Sequence, residues 1–101
     1  MIFVSYSWKD REVTEVLLES FKERGIQYWV DSDRLDLSQS LKPQIQAALS
    51  RASAVVYLDT LASRNSSWVG FELYQARVRS VPVISVRQPK SPSDITGRYI
   101  I

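Results

Sequence analysis

IFVSYSWKDREVTEVLLESFKERGIQYWV, residues 2–30, reads as strand, helix, strand. Ile2-Phe3-Val4-Ser5-Tyr6 is short, apolar and β-branched, which suits a buried strand. From Lys9 to Arg24 the apolar residues Val13, Val16, Leu17 and Phe21 fall on one helical face. Asp10 is the expected N-cap, Glu12 and Glu15 suit the first turns, and Lys22 and Arg24 suit the last. Gly25 then stands where a helix needs a left-handed residue to stop. Ile26-Gln27-Tyr28-Trp29-Val30 follows as a second strand.

The same alternation runs outward from that unit. Asp31 to Gln39 is polar, lacks any period and reads as a loop. Ser40 caps a second helix with Leu41, Ile45, Ala48 and Leu49 on one face, and Pro43 is tolerated in its first turn. Ser53 to Leu58 is a third strand, Ser63 to Ser67 a loop, and Trp68 to Val78 a third helix. Val81 to Val86 is a fourth strand, with Pro82 near its start. Gln88 to Ser93 is a loop, and Arg98-Tyr99-Ile100-Ile101 reads as a short fifth strand. Alternating strands and helices with short connections imply a parallel sheet covered by helices. Near-continuous apolar strands agree, because parallel strands are buried on both faces. The expected class is α/β: a flavodoxin-like doubly wound parallel sheet of about five strands, with helices on both faces. Ligands bind such sheets at the carboxyl ends of the strands.

The 101 residues suit one domain, 1–101. The chain contains no Cys and no His. Disulfide scaffolds, Cys nucleophiles, Ser-His-Asp triads and zinc sites built on those residues are therefore excluded, and no metal site is expected. Catalysis must use carboxylates, hydroxyls, Lys or Arg. With only Gly25, Gly70 and Gly97, neither a G-x-G-x-x-G nor a Walker A loop can be assembled. No apolar run approaches the roughly 20 residues of a membrane span. The N-terminus lacks the basic region of a secretory signal, so the expected location is cytoplasmic, away from a membrane. Residues 1–60 carry seven basic and nine acidic side chains, and residues 61–101 carry six and two. Arg77, Arg79, Arg87 and Lys90 supply most of that positive half, but they are scattered over a helix, a strand end and a loop. Nucleic-acid binding needs clustered Lys/Arg with interleaved aromatics, and so is not expected.

The segment most informative about function is Asn65-Ser66-Ser67-Trp68-Val69-Gly70-Phe71-Glu72-Leu73. Trp68 and Glu72 are four apart and share a helix face. An indole beside a carboxylate at the ligand edge of a sheet can hold a flat ring and its charge. The plainer reading makes Trp68 a half-buried anchor and Glu72 a solvated or Arg-paired carboxylate.

Several stretches, in order, carry a family resemblance. Phe3-Val4-Ser5-Tyr6-Ser7-Trp8-Lys9-Asp10 resembles the first box of Toll/interleukin-receptor (TIR) domains. Gly25 to Asp31 resembles their second strand. Asp33-Arg34-Leu35-Asp36-Leu37-Ser38-Gln39-Ser40-Leu41, with Ile45 and Ala48-Leu49, is similar to their BB loop and its helix. Ser53 to Leu58 and Val81 to Ile84 are similar to the third and fourth strands. Ser67-Trp68 to Glu72-Leu73 resembles the Trp-x-x-x-Glu helix of the NAD-cleaving, bacterial-type branch. The BB loop usually carries a Gly near Ser38-Gln39, and this one does not. Family members commonly continue beyond the position of Ile101 into a last helix. The resemblance therefore implies either a minimal version or one module of a larger protein.

The resemblance implies an NAD+ hydrolase or cyclase that cleaves the nicotinamide N-glycosidic bond, activated by self-assembly in immune or defence signalling. The alternative is a non-catalytic TIR adaptor that acts through TIR–TIR contacts. NAD+ is then the substrate, and no separate cofactor is implied. Nicotinamide leaves as a neutral amide from a cationic pyridinium, so no general acid is needed and the lack of His is no obstacle. The transition state resembles an oxocarbenium ion, which one carboxylate can stabilise. Carried over by residue, Glu72 is the catalytic carboxylate, and Ser7, Trp8, Arg34, Asp36 and Trp68 bind substrate. The plainer readings are that Ser7 caps a helix, Trp8 is an exposed contact, and Arg34 pairs with Asp36. Asp31 reads as a structural strand end. Expected partners are further copies through the loop Asp31 to Gln39, and other proteins of a defence system. A receiver domain shares the topology but needs an acidic cluster after the first strand, where this chain has Ser5-Tyr6-Ser7.

Overall fold

The computed structural model describes residues 1–30 and 38–87, the side chains of residues 38–41 excepted. The elements are β1 (Ile2–Ser5), a 3-10 turn (Trp8–Asp10), α1 (Arg11–Glu23), β2 (Tyr28–Val30), α2 (Ser38–Arg51), β3 (Ala54–Asp59), α3 (Leu61–Arg64), α4 (Ser67–Val78) and β4 (Val83–Arg87). Among the described residues all strand pairings are parallel, in the order β2-β1-β3-β4. The fifth strand expected at Arg98 to Ile101 and the loop expected at Gln88 to Ser93 lie outside the described residues.

Alternation along β1 sorts the core into two layers. Val4 and Tyr6 pack with Val56, Leu58 and Val86 against Leu17 and Phe21 of α1. Phe3, on the opposite face, packs with Val55 against Ile45, Ala48 and Leu49 of α2 and Ala76 of α4. Helices thus cover both faces of the sheet. Phe3 and Trp29 are register partners on β1 and β2, and their rings stack at 5.0 Å. Such a pair adds about 0.5–1.5 kcal/mol beyond the area it buries. Lys42 of α2 lies 5.3 Å from the Phe71 ring of α4, tying the two helices of that layer together.

Two of the helices that return to the sheet, α1 and α4, stop in the same way. After α1, Gly25 is left-handed at φ 67°, its N–H donates to Lys22 O, and Ile26 N–H donates to Phe21 O. After α4, Ser80 takes φ 57°, its N–H donates to Arg77 O, and Val81 N–H donates to Ala76 O. These are paired Schellman closures, one on glycine and one on serine.

Three expectations need correction. The first helix does not run unbroken from Lys9, because Trp8–Asp10 forms a tighter turn ahead of α1. The second helix starts at Ser38 rather than after Ser40, so Ser38 and Gln39 belong to it and Pro43 is its sixth residue. Ser-Gln-Ser offers equivalent capping types without an apolar period, so the pattern could not choose between them. Ser63 to Ser67 is not all loop: Leu61–Arg64 forms one turn, α3, and Ser67 already belongs to α4. Among the described residues, no helix is long and apolar enough to cross a membrane.

Candidate functional site

Connections from adjacent strands part company at β1 and β3. After β1 the chain passes to α1 on one face, and after β3 to α4 on the other. That divergence opens a crevice at the carboxyl ends of the two strands, the usual ligand position of a doubly wound sheet. A cleft of about 570 Å3 lies there, with Ser7, Trp8 and Lys9 on one wall and Leu61, Ala62, Asn65, Ser66 and Trp68 on the other.

Local chemistry fixes both walls. Ser7 caps the 3-10 turn by accepting from Lys9 N–H at 3.3 Å. It is therefore both a cap and a cleft residue. Trp8 is 37% exposed, and the Arg11 guanidinium lies 5.0 Å from its ring. On the other wall, Thr60 caps α3 by accepting from Ser63 N–H, while Thr60 N–H donates to Ser63 Oγ. Ser66 caps α4 by accepting from Val69 N–H. Trp68 stands in the first turn of α4, its ring 6.0 Å from that of Phe71.

One hydrogen bond clamps the walls together. Thr60 Oγ1 donates to Asp10 Oδ2 at 2.5 Å. Asp10 does occupy the N-cap position of α1, but its carboxylate caps no helical N–H, contrary to expectation. Its side chain serves the cross-wall bond instead, and its carbonyl accepts from the buried Thr14 hydroxyl.

Glu72 lies one turn beyond Trp68 and is fully buried, which rules out a solvated carboxylate. The hydroxyl of Ser5, at the end of β1, donates to Glu72 Oε1 at 2.8 Å. Ser7, Trp8 and Trp68 thus share the cleft, and Glu72 sits behind them, anchored to the strand that leads into it. Arg34 and Asp36, with residues 31–37 of the expected loop, lie outside the described residues. Reasoning from sequence missed Ser5, Thr60 and Lys9. A hydroxyl at Ser5, between Val4 and Tyr6 of an otherwise apolar inner strand, was the available signal for a buried polar partner.

Beside the cleft, Arg64 pairs with Asp59 at 2.8 Å. The hydrogen bond from Arg64, with its charge, holds the Asp59 carboxyl below its ordinary value. Among the described residues, no group of three or more acidic side chains is placed to hold a metal ion.

Comparison with known proteins agrees with this architecture. The TIR domains of the activated Roq1 resistosome, a structure described as directly recognizing the pathogen effector XopQ, align at 20% identity with a TM-score of 0.71. The alignment covers 93% of this chain, which spans 60% of the length of that one. The TIR domain of the Toll-related Receptor TRR-2 from Hydra magnipapillata aligns at 16% identity with a TM-score of 0.72, covering 96% of this chain and 78% of that one. None of the curated proteins matches. At these identities the two structures speak to the fold. The family profile described as TIR domain matches residues 2–100, almost the whole sequence, and this chain belongs to the TIR domain family.

Proposed function

We infer that this TIR domain cleaves NAD+ at the nicotinamide N-glycosidic bond, as the bacterial-type branch does. The observation that carries this reading is a single carboxylate, Glu72, anchored behind an aromatic cleft at the β1/β3 crevice. In the reaction the bond between ribose C1′ and the pyridinium nitrogen breaks, and its electron pair leaves with neutral nicotinamide. Water forms the new bond to C1′ and releases a proton, giving ADP-ribose, or an adenine nitrogen closes the ring to give the cyclic product. Glu72 offsets the positive charge that develops on the ribose. Trp8 and Trp68 supply flat surfaces for the rings. Ser7, Arg34 and Asp36 complete the proposed substrate contacts.

Burial of Glu72 bears on when this happens. The carboxylate is covered in the isolated chain, so substrate reaches it only when the cleft opens inward. Self-assembly through the loop 31–39 is the proposed trigger, with defence signalling in the cytoplasm as the setting. A resistosome among the similar structures supports a role for assembly. The same burial is the observation that favours the alternative, a non-catalytic adaptor in which Glu72 only ties α4 to β1.

Incubating concentrated protein with NAD+ and measuring nicotinamide by chromatography separates the two. Release should fall by about 10²–10³ in Glu72→Gln, the usual loss for one electrostatic stabiliser. Equal release from a folded Glu72→Gln chain removes the catalytic assignment. No release from the concentrated parent leaves the adaptor.

A further inference from the structure

We propose that Ser5 is the positioning residue of the site, its buried hydroxyl fixing the Glu72 carboxylate in the orientation that faces the reacting ribose. This rests on the reading of Glu72 as the catalytic carboxylate.

Ser5 and Glu72 are both fully buried, 67 residues apart in sequence, and joined at 2.8 Å. Ser5 shares a face of β1 with Phe3, under the layer formed by α2 and α4. β1 lies between β2 and β3, and Ser5 itself is in register with Tyr57 of β3. Its backbone is therefore fixed by the pairing with β3, whereas a glutamate side chain turns about three bonds. Burying a hydroxyl is unfavourable unless it is paired. An alanine would fill the strand without that penalty, so the hydroxyl at this place is accounted for by its acceptor. Catalysis depends steeply on such placement, since a displacement of about 1 Å can cost on the order of 10²-fold in rate.

Four chains test this: the parent, Ser5→Ala, Ser5→Thr and Ser5→Ala/Glu72→Gln, with Glu72→Gln as reference. Nicotinamide release is followed at one high protein concentration over a range of NAD+, beside thermal melts. Ser5→Ala should lower kcat by about tenfold to a hundredfold and leave KM within about threefold, because the hydroxyl does not touch substrate. Ser5→Thr keeps the donor on a strand-favouring residue and should recover most of kcat. The double variant should be no slower than Glu72→Gln alone, because Ser5 acts only through Glu72. If the added methyl of threonine is not accommodated, the double variant still decides. Unchanged or raised kcat in Ser5→Ala, beside an inactive Glu72→Gln, overturns the positioning role and leaves Glu72 standing. Additive losses in the double variant overturn it equally. An inactive parent overturns the activity, a fully active Glu72→Gln overturns the catalytic assignment of Glu72, and either result overturns the role of Ser5 with it.

Discussion

Replacing Thr60 by valine removes the one hydroxyl that both caps α3 and clamps the walls of the cleft. Thr60 is 3% exposed, accepts from Ser63 N–H at 2.9 Å and donates to Asp10 Oδ2 at 2.5 Å. Valine matches its shape, so no cavity term enters. Loss of an N-cap acceptor costs about 1 kcal/mol, and loss of a hydrogen bond to a charged group about 1.5–3. The expected destabilisation is therefore about 2–4 kcal/mol, a large part of the roughly 5–15 kcal/mol of a typical domain. At about 4–8 °C per kcal/mol for a chain of this size, the melting midpoint should fall by about 8–30 °C. Thr60→Ser keeps both bonds and should stay within about 1 kcal/mol of the parent. Urea unfolding of Asp10→Ala, Thr60→Val and the double variant isolates the clamp, with an expected coupling of about 1–2 kcal/mol. A Thr60→Val chain within about 0.5 kcal/mol of the parent, or strictly additive losses, would show that the contact carries no energy.

Two further outcomes are expected. Gly25→Ala should cost about 1 kcal/mol and Ser80→Gly should gain a similar amount, because each changes only the penalty of a side chain in the left-handed region. Opposite shifts in thermal melts check this, and nothing lies within 4 Å of a methyl built on Gly25 to confuse the sign. Specific activity should rise with protein concentration, and an inactive Glu72→Gln chain mixed with an inactive Arg34→Ala/Asp36→Ala chain should recover activity; a flat dilution series over about a hundredfold, with no complementation, removes shared sites between copies.

What the sequence made legible was the part governed by periodicity. Val13, Leu17 and Phe21 marked the face of α1, and Gly25 its end, because burial and the left-handed stop act within a few residues of chain. The apolar runs of β1 and β3 marked a doubly covered parallel sheet for the same reason. Short elements escaped. α3 has four residues and no amphipathic stripe, and it exists because Thr60 and Ser63 cap each other. Ser80 closes α4 as a glycine would, and no local pattern marks a serine for that geometry.

The site divides along the same line. Ser7, Trp8 and Trp68 could be placed together, because each follows a strand end or opens a helix at the sheet's carboxyl edge. The partners of Asp10 and Glu72 could not, since both bonds span elements far apart in sequence, 50 and 67 residues respectively. Spacing placed Glu72 one turn behind Trp68 but left open whether its carboxylate faced water or the sheet. Only packing α4 on β1 brings it under Ser5. Under the proposed function, that packing joins stability to activity in one contact: α4 is held to β1 partly by the carboxylate assigned to the reaction. On the same reading, a chain built this way keeps the Glu72 carboxylate covered while alone, and assembly then has a structural reason to precede catalysis.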